Sequence, residues 1–167
     1  MSTALGRAIG ISWGRNASYG VRLVADVPGE RFVAQPVAGA RLNHPAWILS
    51  HLTLYAEVAV KLARGEAFED PAEHRYGAKS VPLEDAGEYE PAAAQIERWT
   101  RVHEAGSHAL ERLTAELEAR ETPLARWRGV HPTIGDMLVT LMVKHEAGHL
   151  GQLSAWRRAC GYPSVPM

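Results

Sequence analysis

A single cysteine, Cys160, leaves this 167-residue chain without the means for an internal disulfide or a thiolate-rich zinc site. Charge of one sign is missing too. Eighteen basic residues against 19 acidic ones give a formal net charge of −1, which points to neither nucleic acid nor an anionic membrane. The longest uncharged run, 42–56, falls short of the roughly 20 apolar residues that a bilayer requires, and it carries His44 and His51. The opening "MSTALGRAIGISWGRN" lacks a basic start followed by a continuous apolar segment, so no secretory signal is legible. Alternating strand patterns are absent as well. These absences lead us to expect one domain over 1–167, cytoplasmic, with neither nucleic acid nor membrane as partner.

What the chain does have is helical periodicity, in four stretches. The first, over about 2–24, offers Leu5, Ile9, Trp13 and Leu23 to a core. Gly6, Gly10 and Gly14, four apart, would let a neighbouring helix approach along one face. The second has Asn43 as its expected N-cap, Pro45 in the first turn and Gly65 as its stop. Its apolar stripe is Trp47, Ile48, His51, Leu52, Tyr55, Val58 and Leu62. A third helix begins near Pro91 and uses Ile96, Trp99, Val102, Ala109, Leu113 and Leu117. The fourth starts at Thr133, with Asp136 near the positive end of the helix dipole, and stops at Gly161 and Pro163. The expected fold is all-α, a four-helix bundle with a long crossing connection between helices 2 and 3. That connection, "EAFEDPAEHRYGAKSVPLEDAGEY", is long enough to read either as a mobile cover or as a solvated connector.

Eight histidines are present, and the question is which of them converge. In "KHEAGHLGQL", His145 and His149 are four apart, about 400° of rotation, so both imidazoles leave one helix face and can share a cation. His103 and His108, five apart, are about 140° out of alignment and cannot. On an apolar stripe the first pair reads as a metal site or as two hydrogen-bonded core residues. His51, on the inward stripe of helix 2, shifts that balance, because one divalent metal would satisfy three buried imidazoles together. His44 reads as exposed, and His74 and His131 as loop residues. The stretch also fits the H-E-x-x-H pattern of zinc peptidases. Glu146, about 100° round the helix from His145, would then act as general base, though a solvated surface position is the expected one. Arg157 and Arg158 likewise read as exposed residues serving the helix end.

"NHPAWILSHL" followed by "KHEAGHLGQLSAWRRACGYP" resembles the DinB/YfiT-like superfamily of metal-binding four-helix bundles. The matching positions are Asn43, Trp47, His51 and Leu52, then His145, His149, Gly151, Gln152, Leu153, Arg158 and Gly161. The resemblance covers essentially the whole chain, the "YGAKSVP" loop included. It implies a divalent metal (nickel, zinc or iron) on His51, His145 and His149, and frequent homodimers. It also implies activities that differ by branch, thiol transfer and isomerisation of thiol adducts among them. The leading expectation is therefore a metal-dependent transfer of a low-molecular-weight thiol to an electrophile. The alternatives are a metal-dependent hydrolase using Glu146, and a non-catalytic metal-binding stress or detoxification protein. Trp47, Gln152 and Tyr76 are the expected supporting or substrate-contacting residues, with His74 and Lys79 as further loop candidates.

Overall fold

The computed structural model describes residues 2–166. Regular structure among these residues is helical, apart from an isolated bridge between Glu121 and Thr133. Helix α1 spans Ala4–Val24, α2 Pro45–Arg64 and α3 Ala92–Glu111. Two short helices follow, α4 at Ala115–Ala119 and α5 at Ala125–Arg128. The final run consists of α6 at Ile134–Val139, a π-helical segment at Thr140–His145, and α7 at Glu146–Ala159. Helix α2 packs along α3, α3 along α1, and the final run closes against both α1 and α2. No described helix is long and apolar enough to cross a membrane.

Local chemistry explains most of these boundaries. Thr133 and Asp136 form a reciprocal capping box, which starts the final run where the sequence places it. Gly65 ends α2 with φ 69°, a left-handed conformation that costs glycine little. The α2 cap differs from expectation. His44 holds that position, its Nδ1 accepting from Trp47 N–H at 3.3 Å, while its Nε2 lies 2.8 Å from the Leu83 carbonyl. His44 is accordingly buried rather than exposed. Helix α3 stops at Glu111 rather than running on to Leu117. Leu113 still reaches the core, and Thr114 caps α4, which carries Leu117.

The close approach of α1 to α3 follows the sequence expectation at Gly6, where a Cβ would stand 3.1 Å from the Leu110 carbonyl oxygen, but not at Gly14. A Cβ on Gly14 would meet nothing within 4 Å, whereas one on Gly20 would stand 2.8 Å from the Trp99 ring. A Cβ on Gly106 would stand 2.7 Å from Trp13 Nε1. Each helix thus gives a glycine to the other's tryptophan, which lets Trp13 and Trp99 be almost fully buried. Two apolar clusters result. One includes Trp47, Ile48, Leu52 and Trp156; the other includes Trp13, Tyr55, Leu138 and Met142. On α2 the change from one cluster to the other falls around His51.

Residues 66–91 are tied to the helices at several points. Asp70 and Asp85 cap short 3-10 turns at Pro71–Glu73 and Ala86–Glu88. The Tyr76 hydroxyl donates to the Glu88 carbonyl, and Trp47 Nε1–H donates to Ser80 Oγ. Gly77 is packed so tightly that a Cβ would lie 2.0 Å from the Pro71 carbonyl oxygen.

Candidate metal centre

Three helical positions bring the histidines together. His51 stands in the middle of α2, His145 ends the π segment and His149 lies one turn later on α7. Their ring centroids are 4.7 to 5.0 Å apart, and one ring nitrogen from each lies within 4.8 Å of the other two. Nitrogens bound tetrahedrally to zinc at about 2.0–2.1 Å would be about 3.3 Å apart, so small side-chain adjustments fit the cluster to an ion.

The ring tautomers favour ligation. Nδ1–H of His51 donates to the Tyr76 carbonyl at 2.6 Å, which leaves the Nε2 lone pair free. Nδ1–H of His149 donates to Gln152 Oε1 at 2.9 Å, and Asn43 Nδ2 donates to the same oxygen at 2.9 Å. The Asn43 side chain is therefore drawn to α7 instead of capping α2. Nε2 of His51 lies 3.0 Å from Nε2 of His145. An Nε2–H of neutral His145 donating to His51 satisfies that contact for two rings, whereas a divalent cation would take a lone pair from all three. Nδ1 of His145 is buried with no hydrogen-bond partner among the described residues.

Burial also favours the neutral form of all three rings, the form that metal ligation would require. It lowers the pKa of His51 to about 4, helped by neighbouring His149 and opposed by the Tyr76 carbonyl. Burial lowers His145 to about 3, with His149 and His51 adding to the effect. His149 is lowered as well, chiefly by burial. Trp47 stacks on His51 with ring centroids 4.5 Å apart and 15° between planes, and presents its edge to His149. One turn beyond His51, the Tyr55 ring meets His145 edge-on at 5.0 Å.

The cluster faces a cleft of about 370 Å³ that Tyr55, Arg126, Thr140 and His131 also line. His131 was expected as a plain loop residue; it sits in this cleft with Nδ1 3.2 Å from Thr140 Oγ1. A larger groove of about 720 Å³ between α2 and the 66–91 segment contains none of the three cluster histidines. His74 lines that larger groove instead, and Lys79 is exposed in an ion pair with Glu73. Tyr76 supports the site through its carbonyl, while its hydroxyl is turned to Glu88. Tyr55 was expected only on the apolar stripe of α2, although its place four residues after His51 puts it on the cluster's face; Arg126 and His131 come from a segment with no periodicity to mark them.

Two sequence expectations are corrected. Glu146 is not on the surface. It is 2% exposed, with Oε1 3.0 Å from His103 Nε2 and Oε2 accepting from Asn16 Nδ2 at 3.1 Å. Successive residues leave a helix about 100° apart, so His145 faces the cleft while Glu146 faces α1 and α3. His103 is completed by Nδ1–H donation to the Trp99 carbonyl at 2.8 Å. Burial raises the Glu146 pKa, opposed by His103 and Asn16. Arg157 is likewise buried. It pairs with Asp26 and donates to the Leu23 and Pro163 carbonyls, while Arg158 stays exposed as expected.

The family model for the DinB superfamily matches residues 15–153, a span that includes all three clustered histidines. The chain belongs to the DinB superfamily. No curated protein and no solved structure is significantly similar to it. Membership in the DinB superfamily and the three-histidine cluster are together compatible with divalent-metal binding.

Proposed function

We propose that the protein holds one divalent metal ion, nickel, zinc or iron, on Nε2 of His51, His145 and His149. We further propose that it uses this centre to transfer a low-molecular-weight thiol to an electrophile. The observation that carries the reading is the convergence of three neutral imidazoles, two of them held at Nδ1 by Tyr76 and Gln152. A cation there supplies Lewis acidity and lowers the pKa of a thiol that reaches it. Three protein ligands leave coordination room, as catalytic centres require and closed structural ones do not.

The residues around the cluster divide the remaining work. The Tyr76 carbonyl fixes the tautomer and direction of His51, and Gln152, oriented by Asn43, does the same for His149. Trp47 covers one face of His51 and keeps water from it. The adjoining cleft gives a small molecule access to the centre, which favours turnover over simple storage of metal. The hydrolytic alternative gains no support, because both Glu146 oxygens are engaged by His103 and Asn16. In this reading the four long helical runs form a four-helix bundle, crossed by the connection over 66–91.

Protein loaded separately with each metal and mixed with 1-chloro-2,4-dinitrobenzene plus a panel of small thiols tests the activity. Thiol-dependent product formation above the uncatalysed rate, falling back to that rate in His51→Ala, is the expected result. Ester or amide hydrolysis in the absence of any thiol-dependent reaction would contradict it.

A further inference from the structure

Charge in the histidine cleft is one-sided. Arg126 is the one permanently charged group among its described lining residues, and no carboxylate lines it. The clustered histidines add no negative charge to offset it. Arg126 reaches the cleft from α5, its guanidinium 4.7 Å above the Trp127 ring. Tyr55 stands between it and the cluster, one turn of α2, or about 6 Å, beyond His51. A ligand with one end at the three histidines thus extends past a phenol hydroxyl toward a guanidinium.

Arg126 already holds an anion. Its Nε donates to Asp70 Oδ2 at 2.7 Å and its Nη2 to Asp70 Oδ1, a bidentate pair that leaves Nη1 outside it. Asp70 lines the neighbouring larger groove and not the cleft, so the pair forms the wall between the two spaces. Both side chains are more than a third exposed, so solvent screens the pair and an incoming anion can compete with it. The planar guanidinium fork suits a carboxylate geometrically.

We infer that the cleft selects small molecules bearing a carboxylate, which Arg126 binds in partial exchange for Asp70, assisted by the Tyr55 hydroxyl. This inference rests on the metal reading above and names the substrate class of that same site. Asp70 acts as the internal competitor: it keeps the guanidinium oriented along the wall and sets a threshold that neutral thiols have no means to lower.

Cobalt-reconstituted protein allows the test without any turnover, because thiol binding at cobalt is read from the visible absorption spectrum. 6-Mercaptohexanoate and 6-mercaptohexanol, whose chains span the distance from the histidines past Tyr55, are titrated into wild type, Arg126→Gln and Asp70→Asn, and the ratio of the two affinities is compared within each protein. Taking ratios across variants cancels the difference in thiol acidity. The preference for 6-mercaptohexanoate should fall about fivefold in Arg126→Gln, and rise in Asp70→Asn, where the competitor is neutral. A merely structural role for the pair would weaken both thiols alike in both variants. Normal cobalt spectra with ratios unchanged within about twofold would overturn the carboxylate site alone. Failure of wild type to take up cobalt would overturn the metal reading, and this inference with it.

Discussion

Replacing Glu146 by alanine and by glutamine should produce sharply different outcomes. The carboxylate is 2% exposed and its partner His103 is 4% exposed, so neither can recover lost hydrogen bonds from bulk water. Alanine leaves His103 Nε2 and Asn16 Nδ2 unpaired beside a new cavity, and breaking a buried pair from one side costs about 3–5 kcal/mol. Glutamine can meet both neighbours. Its amide oxygen accepts from Asn16, and its amide N–H donates to Nε2 of a neutral His103, whose Nδ1–H stays on Trp99. Its expected cost is about 1 kcal/mol. For a chain of this size, each kcal/mol moves the melting temperature by about 2–4 °C, so alanine should lower it by roughly 10 °C and glutamine by a few. Urea and thermal unfolding in the presence of a chelator measure both, and metal content of the glutamine variant should match wild type. Equal destabilisation by the two substitutions, or an alanine variant within about 1 kcal/mol of wild type, would refute the buried-pair reasoning.

Gly106→Ala should cost about 2 kcal/mol in urea unfolding, because the new Cβ meets a Trp13 ring that has no room to retreat; an unchanged midpoint would count against the packing described. Gly77→Ala should weaken metal binding about tenfold in chelator competition while leaving far-UV circular dichroism intact, since displacing the loop moves the Tyr76 carbonyl off His51; wild-type affinity would mean that the carbonyl is dispensable. With metal removed, stability should fall as pH drops from about 6.5, because the unfolded chain takes up protons at His51 and His145 that the folded chain refuses until about 4 and about 3. A urea midpoint that stays flat between about pH 7 and pH 5 would contradict that assignment.

The helices and the histidine triad were legible because their signals are local. Thr133 with Asp136, Gly65 at the end of α2, and the spacing of His145 and His149 need only neighbouring residues to be understood. Glu146 was misplaced for the opposite reason: its burial depends on His103, which lies far away in sequence on α3. Arg157 is a similar case, because its partner Asp26 follows α1. The N-cap of α2 was assigned to Asn43 and falls to His44, because a contact with Gln152 on α7, distant in sequence, draws the Asn43 side chain away. Nothing in "TLMVKH" announces a π segment. Yet that segment carries both Leu141 and His145, which line the cleft together with Met137. Arg126 and His131 enter the cleft from short turns, where side-chain direction follows tertiary packing and not periodicity.

The central claim concerns the metal, and elemental analysis of protein purified without a nickel affinity step tests it most directly. After reconstitution and desalting, wild type should retain about one divalent ion per chain. His51→Ala, His145→Ala and His149→Ala should each lose most of it, while His108→Ala, at an exposed position on α3, should keep it. Equal metal content in wild type and all three cluster variants would contradict the account.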